Sequence, residues 1–446
     1  MSDFHQFYLN CLAHASYLVG DGGECAIVDP QRDVDQYIDE AAKRGLKIRY
    51  VIETHLHADF VSGHRELAAR TGAEIVIGAN ANAEFPHRAI RDGETLQLGA
   101  IELRALETPG HTPESVSWLI VEDGAPKRIL TGDTLFIGDV GRPDLAGGRG
   151  FTPQQMASMM YDSLHEKILA LPDDVEVWPA HGAGSACGRN ISKETSSTIG
   201  MQRKTNYALR PMPREDFVKL LTTDVAPAPA YFPRDAEINR QGARALNEIP
   251  LTRILLSDTT ALQILDVRDT TTYGQSHIPN AINIGLGGQF ASWAGTLLSF
   301  ERPIAIVAEN EERAKEAVMR LARVGLERVT GYTTMNDWSG PTESLEQITP
   351  SQLANMSIEI LDVRRKGEYE DGHVPNARNI PLDELPRRLD EIDRGKPYAV
   401  ICAGGYRSSM AASILASHGH KQLFNLIGGT SAWANAGLAM DSPVPA

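Results

Sequence analysis

The chain is short of positive charge. Its 43 Lys and Arg stand against 58 Asp and Glu in 446 residues, a formal net charge of −15. A protein that grips nucleic acid through its phosphates needs a basic face, so that class is excluded. Docking on anionic lipid is disfavoured on the same ground. Long hydrophobic runs are missing too: no apolar stretch reaches the ~18 residues that a membrane span needs. The first residues, Met1-Ser2-Asp3-Phe4-His5, show no basic segment leading into an apolar one. No export signal and a cytoplasmic location are therefore expected. Cysteine is scarce. Cys11, Cys25, Cys187 and Cys402 form neither a CxxC pair nor a disulfide framework, and reduced thiols are expected. What is present is an ordinary globular balance, 42% hydrophobic and 23% charged, which argues against gross disorder.

At roughly 150 residues per domain, the length predicts about three domains. Two of them are copies. Ile264-Leu265-Asp266-Val267-Arg268 recurs as Ile360-Leu361-Asp362-Val363-Arg364, and His277-Ile278-Pro279-Asn280-Ala281 recurs as His373-Val374-Pro375-Asn376-Ala377. Pro303 to Val307 matches Pro397 to Ile401. A period of about a hundred residues is too long for a solenoid unit and suits a duplicated small domain. Each copy alternates apolar strands with helices (Arg313 to Arg323 and Ser408 to His418), the pattern of a parallel sheet covered on both faces. Residues 1 to about 245 do not repeat. They carry strand-like runs at Ala26 to Val28, Arg49 to Ile52, Glu74 to Ile77, Ile101 to Ala105, Ser117 to Val121, Ile129 to Leu130 and Val175 to Trp178. Helices are expected at Val34 to Arg44 and Arg65 to Arg70. The Pro-rich stretch Val225 to Pro233 reads as an extended linker. The expected domains are 1–245, 246–345 and 346–446.

Histidine and aspartate gather where strands end. Thr54-His55-Leu56-His57-Ala58-Asp59-Phe60 follows one run, Thr108-Pro109-Gly110-His111 another, Gly132-Asp133 a third and Pro179-Ala180-His181 a fourth. Loops at strand ends can be aimed at one point by a rigid sheet, so a shared metal site is expected. His64 is expected on a helix surface.

This set resembles the metallo-β-lactamase fold, whose hallmark is HxHxDH followed by separate His, Asp and His loops. The resemblance implies a four-layer αββα sandwich. Phe60 stands where the last His of HxHxDH is found. Phe has no ligand atom, so a full second metal site is not expected. The stretches Thr54 to Asp59, Glu107 to Thr112, Gly132 to Ile137 and Gly141-Arg142-Pro143-Asp144 are most similar to the persulfide dioxygenases within that superfamily. That resemblance implies one Fe(II) per chain, held by His55, His111 and Asp133, two histidines and a carboxylate that leave room for substrate and O2. It makes His57, Asp59 and His181 supporting residues around the metal, although His181 reads equally as a retired second-metal ligand. Arg142 would bind a substrate anion or pair with Asp144. Cys187 reads as packing among small residues.

The second copy carries Cys402-Ala403-Gly404-Gly405-Tyr406-Arg407-Ser408-Ser409 after a buried strand. Inward loop amides and a helix N-terminus favour an anion at such a place, and a cysteine there is a better nucleophile. With the LDVR strand and Gly372 to Ala377, this copy resembles rhodanese. The resemblance implies that Cys402 carries sulfane sulfur. It also implies that the Ala403, Gly404, Gly405 and Tyr406 amides cradle it and that Arg407 braces the loop. In the first copy Ala308 replaces the cysteine and is followed by Glu309, Glu311 and Glu312. That copy reads as an inactive rhodanese, a spacer or docking surface.

The whole order resembles persulfide dioxygenase–sulfurtransferase fusions. It implies oxidation of low-molecular-weight thiol persulfides with O2 to sulfite, and transfer of sulfur through Cys402 to sulfite, giving thiosulfate. No nucleic acid or membrane partner is expected, and a homo-oligomer is. Two rivals are a zinc-dependent thioester hydrolase of the glyoxalase II type and a sulfur-responsive binding protein.

Overall fold

Near-continuous apolar strands from two stretches of chain build the first half. The computed structural model describes residues 2–249, 251–256 and 259–441. It divides into two compact units, Met1–Glu248 with Ala322–Gly325, and Ile249–Leu321 with Leu326–Ala446.

In the first unit two six-stranded sheets stack face to face. One runs Asp3–Leu9, His14–Asp21, Glu24–Val28, Lys47–Glu53, Glu74–Gly78, Arg88–Ile90 in spatial as in chain order. Its first three strands are antiparallel hairpins, and the later pairs are parallel. Parallel neighbours require crossovers, which the helices Asp35–Lys43 and His64–Thr71 supply. The other sheet is ordered Ser197–Thr198, Glu176–Pro179, Ala125–Gly132, Val116–Glu122, Ile101–Glu107, Thr95–Leu98. Tyr17, Val28 and Ile52 from one sheet meet Leu103, Trp118 and Ile120 from the other in the central core. Each such buried side chain contributes roughly 1.5–3 kcal/mol of transfer free energy. The outer faces are closed by helices: Tyr37, Ala41 and Leu67 pack on the first sheet, Ala157, Met160 and Phe217 on the second. The layers are thus α, β, β, α.

Two local expectations change. The stretch from Val225 is not a free linker throughout, because Phe232–Gln241 is a helix whose Phe232 is buried, with Pro233 in its first turn where no amide is needed. His64 opens the helix His64–Thr71 but is buried, not on the surface. Its ring lies 4.5 Å from that of Phe85, and its Nδ1 3.4 Å from Glu53. The strands Asp3–Leu9 and His14–Asp21 were hidden from the pattern by their histidines and mixed polarity.

In the second unit both copies are parallel sheets. The first has the order Ile282–Asn283, Gln263–Asp266, Ile304–Val307, Val329–Thr333. The second has Glu346–Ile348, Leu423–Leu426, Tyr398–Ile401, Glu359–Asp362, Arg378–Asn379. The repeated residues turn out to be structural. Arg268 pairs with buried Asp266 as Arg364 does with Asp362. Tyr273 stacks on His277 as Tyr369 does on His373, with ring centroids 3.9 and 3.8 Å apart. Asn283 and Asn379 each donate to two carbonyls of their own Asp-Val-Arg strand end. The duplication therefore preserves a scaffold. The chemistry must lie in what the copies do not share.

Candidate metal centre and cysteine loop

The four histidine and aspartate loops leave the ends of Lys47–Glu53, Ile101–Glu107, Ala125–Gly132 and Glu176–Pro179. Strand pairing fixes where each loop starts. The turn at Thr54 is fixed further by Asp29, which accepts from the Thr54 amide at 2.7 Å and from its hydroxyl at 2.8 Å.

His55, His111 and Asp133 are buried together, with one ligand atom from each inside a 4.8 Å circle. His55 Nε2 lies 3.8 Å and His111 Nε2 3.4 Å from Asp133 Oδ2. The opposite ring nitrogens are already engaged. His55 Nδ1 donates to Thr54 Oγ1 at 2.9 Å, and that hydroxyl passes its own proton to Asp29. His111 Nδ1 donates to the Arg142 carbonyl at 2.9 Å. These partners select the tautomer with a free Nε2 lone pair. Both Nε2 atoms and both Asp133 oxygens are buried without a hydrogen-bond partner among the described residues. Burial, then the neighbouring His57 and His111, hold the His55 pKa well below the ordinary histidine value, which keeps the ring a neutral donor. Buried, unpaired donors around a carboxylate fit a divalent metal ion.

A second donor set lies beside the first. His181 Nε2 is 3.3 Å from Asp59 Oδ2 and 3.6 Å from Asp133 Oδ1, and its Nδ1 donates to the Ala13 carbonyl at 3.2 Å. Burial opposes a charge on His181, but Asp133 and Asp59 outweigh it and hold its pKa well above the usual range. Cys187 is not merely packed among small residues. Its Sγ groups with Asp133 and His181 within the same 4.8 Å span, and burial pushes its thiol pKa up. Nothing in Ser185-Ala186-Cys187-Gly188 signals that proximity. His57 groups with Asp59 and His181 but also turns its Nε2 to Asp29, at 3.1 Å, and Glu53, at 3.5 Å. Burial disfavours its charged form, yet those two acids raise its pKa to about 9. The Phe60 ring sits 4.1 Å from His14 and 4.4 Å from His57 between ring centroids, an apolar plug beside these donors.

Of the two readings of Arg142, the geometry favours the ion pair. Its Nε and Nη2 both donate to Asp144 at 2.7 Å, Nη1 donates to the Ala186 carbonyl and Nη2 also to the Ala226 carbonyl. Four of its five N–H groups are thus spent within the protein, and the group ties Val225-Ala226 to the metal loops.

Gly141 packs against two of these residues, Asp133 and His111. A Cβ there would lie 2.1 Å from the Asp133 carbonyl and 2.9 Å from His111 Nδ1. Gly141→Ala is expected to cost about 1–3 kcal/mol of stability from overpacking and to weaken metal binding about tenfold by displacing His111. Thermal unfolding and competitive metal titration check both; an unchanged affinity would mean that the loop yields without moving the ligand.

In the second unit Cys402 follows the strand Tyr398–Ile401 and is buried. Gly405, at φ 96°, turns the chain into the helix Tyr406–Ser417, and its amide donates to Cys402 Sγ at 3.1 Å. Ser408 Oγ lies 3.4 Å from the sulfur and donates to Asn425. Ser408 stands directly after Arg407, outside the Cys402 to Arg407 loop itself. Ala403 receives an amide from Ser431 through its carbonyl, and the Tyr406 hydroxyl donates to Gly285 and Gly287 of the first copy. Arg407 makes two 2.7 Å bonds to Glu368, which bind the loop to the helix Lys366–Glu370. In the first copy Ala308 follows Ile304–Val307 at the matching place, with its amide bonded to Thr333.

Residues 9–181 match the metallo-beta-lactamase superfamily, and residues 254–337 and 349–436 each match the rhodanese-like domain. The mitochondrial persulfide dioxygenase ETHE1 of Bos taurus is 31% identical over 48% of the chain and 78% of its own length. A hydroxyacylglutathione hydrolase of Methylococcus capsulatus is 32% identical over 51% of the chain and 85% of its own length. The crystal structure of a metallo-beta-lactamase from Staphylococcus aureus superposes with a TM-score of 0.67 at 33% identity, covering 75% of the chain and 99% of that structure. The chain belongs to the metallo-beta-lactamase superfamily, as a metal-site domain related to the persulfide dioxygenases and fused to two rhodanese-like domains.

Proposed function

We propose that the chain is a bifunctional sulfur enzyme, oxidising low-molecular-weight thiol persulfides to sulfite in its first unit and moving sulfane sulfur to sulfite in its second. His55, His111 and Asp133 would hold one Fe(II), which when bound supplies the redox chemistry that joins O2 to sulfur and that zinc lacks. The overall balance is RSSH + O2 + H2O → RSH + SO3²⁻ + 2 H⁺. Thr54 and the Arg142 carbonyl fix the two imidazoles. Asp59 and His181 line the same buried space and can hold a proton or a substrate sulfur by hydrogen bonds. Phe60 keeps water from one side.

At Cys402 the thiolate attacks the outer sulfur of RSSH. The new Cys402 S–S bond forms as the old one breaks, and the carrier leaves as RS⁻. Sulfite then attacks the outer sulfur, thiosulfate leaves, and the thiolate is regenerated. The Gly405 amide is placed to stabilise the anionic sulfur in both steps. Tethering the two sites raises the local concentration of sulfite, the sulfur acceptor, at Cys402. O2 and sulfite as partners, a cytoplasmic location and a homo-oligomeric assembly belong to the same reading.

One observation carries it: a buried two-histidine, one-carboxylate donor set lies on the same chain as an intact Cys402 loop. Anaerobic metal analysis followed by O2 uptake is the test. One iron per chain with one O2 consumed per persulfide is expected. The second reading, a zinc thioester hydrolase, draws on the donors that Asp59, His181 and Cys187 turn toward Asp133. Two zinc ions with thioester cleavage in the absence of O2 would replace the first reading by the second.

A further inference from the structure

The copy without a cysteine is not a detached spacer. The helix that follows Cys402 is seated on its edge strand Ile282–Asn283. Ser409 Oγ donates to Asn283 Oδ1 at 2.7 Å, and the Asn283 amide donates to Ser413 Oγ at 3.0 Å. Tyr406, inside the cysteine loop, donates to the Gly285 and Gly287 carbonyls at 2.8 and 2.9 Å. Beside this seam lies a cleft of about 430 Å³, lined on one side by Gly404 and Tyr406 and on the other by Asp269, Glu309 and Arg313. That volume falls within the roughly 300–1,000 Å³ of small-molecule sites. Gly404 is two residues from Cys402, and a Cβ on it would meet nothing within 4 Å.

The charges on the cleft select its occupant. Asp269 and Glu309 are exposed acids, and Arg313 is a half-buried base. Glu309 has no hydrogen-bond or ion-pair partner among the described residues, and Arg313 spends one end on Glu316. A bare dianion such as sulfite or thiosulfate would meet two acids for one base. A ligand bearing both a carboxylate and an ammonium group would meet complementary charge at each end.

We propose that this cleft, walled jointly by the two copies, binds the carrier of the sulfur donor, and that the carrier is a zwitterionic amino-acid or small-peptide thiol. Its carboxylate sits on Arg313 and its ammonium between Asp269 and Glu309, which leaves the persulfide sulfur toward the Cys402 loop. The proposal rests on Cys402 as the sulfur carrier, and it gives the inactive copy a substrate-selecting role. Arg313 and Glu309 are specificity residues here, since neither touches the transferred sulfur.

The test compares the full chain with Arg313→Ala and Glu309→Gln under anaerobic conditions, so that oxidation in the first unit is silent. Thiosulfate formation from added sulfite is followed with glutathione persulfide and with 2-mercaptoethanol persulfide, which has neither charge. Each variant is expected to raise KM for glutathione persulfide about five- to tenfold with kcat within twofold, and to lower the preference over the uncharged donor by the same factor. Equal changes for both donors, or none, overturn the proposal. A binding measurement with S-methylglutathione, which carries no sulfane sulfur, separates it from the reading of Cys402. If Arg313-dependent binding is found while no thiosulfate forms, the cleft stands and the transfer assignment falls. If Arg313→Ala binds S-methylglutathione as the natural chain does, the cleft assignment falls.

Discussion

Exchange of Cys402 for serine is expected to lower thiosulfate formation by about a thousandfold or more, as loss of a covalent nucleophile does elsewhere, while O2 uptake with persulfide stays within twofold. The side chain is buried and small, so serine fits the same space and can accept the Gly405 amide that Cys402 Sγ now accepts at 3.1 Å. The loop has other supports. Arg407 stays on Glu368, and the Thr430 amide stays on the Cys402 carbonyl at 2.7 Å. What is lost is the sulfur atom, because a serine hydroxyl is a weak nucleophile at neutral pH and forms no persulfide. Sulfite should then accumulate where the natural chain makes thiosulfate. Mass spectrometry gives an independent readout, since the natural chain treated with persulfide should gain one sulfur on the peptide holding Cys402 and the variant none. Thiosulfate formed by the serine variant at the natural rate would remove Cys402 from the reaction altogether.

The two copies show why some of this was legible in the residues and some was not. Strands such as Ile304–Val307 are apolar throughout and bounded by turn residues, so periodicity finds them directly. The Asp-Val-Arg and His-x-Pro-Asn-Ala repeats were visible as repeats, but their meaning needed coordinates. Arg268 on Asp266 and Tyr273 against His277 hold a scaffold and do no chemistry. His55, His111 and Asp133 could be grouped because each follows an apolar run and adjoins Gly, Thr or Pro. Cys187 could not, because its approach to His181 depends on how a loop folds back across the sheet ends. The burial of His64 is hidden for a related reason. The residue opens a helix whose polar sequence suggests solvent, yet it is covered by Phe85 and faces Glu53. Long-range closure of loops leaves no local periodic signal.

The same closure makes the ligand assignment testable by subtraction. His111→Ala is expected to drop metal content to below about a tenth of the natural chain's and to abolish O2 uptake, while transfer of sulfur through Cys402 to added sulfite continues. His111 Nε2 and His55 Nε2 face Asp133 Oδ2 at 3.4 and 3.8 Å, so losing one leaves two donors of this set for an ion that needs at least three. An ion that binds only the folded state also stabilises it, by about 4 kcal/mol at a thousandfold excess over its dissociation constant. The variant should therefore unfold at a lower temperature than the natural chain, and added iron should no longer raise that temperature. His181→Ala supplies the contrast. Its Nε2 lies with Asp59 and the other Asp133 oxygen, so if the first set holds the metal, this variant keeps its metal and loses rate instead. The reverse pattern, metal retained without His111 and lost without His181, would move the centre to Asp59, Asp133, His181 and Cys187. Asp133 belongs to both sets and cannot tell them apart; the two histidines on either side of it can.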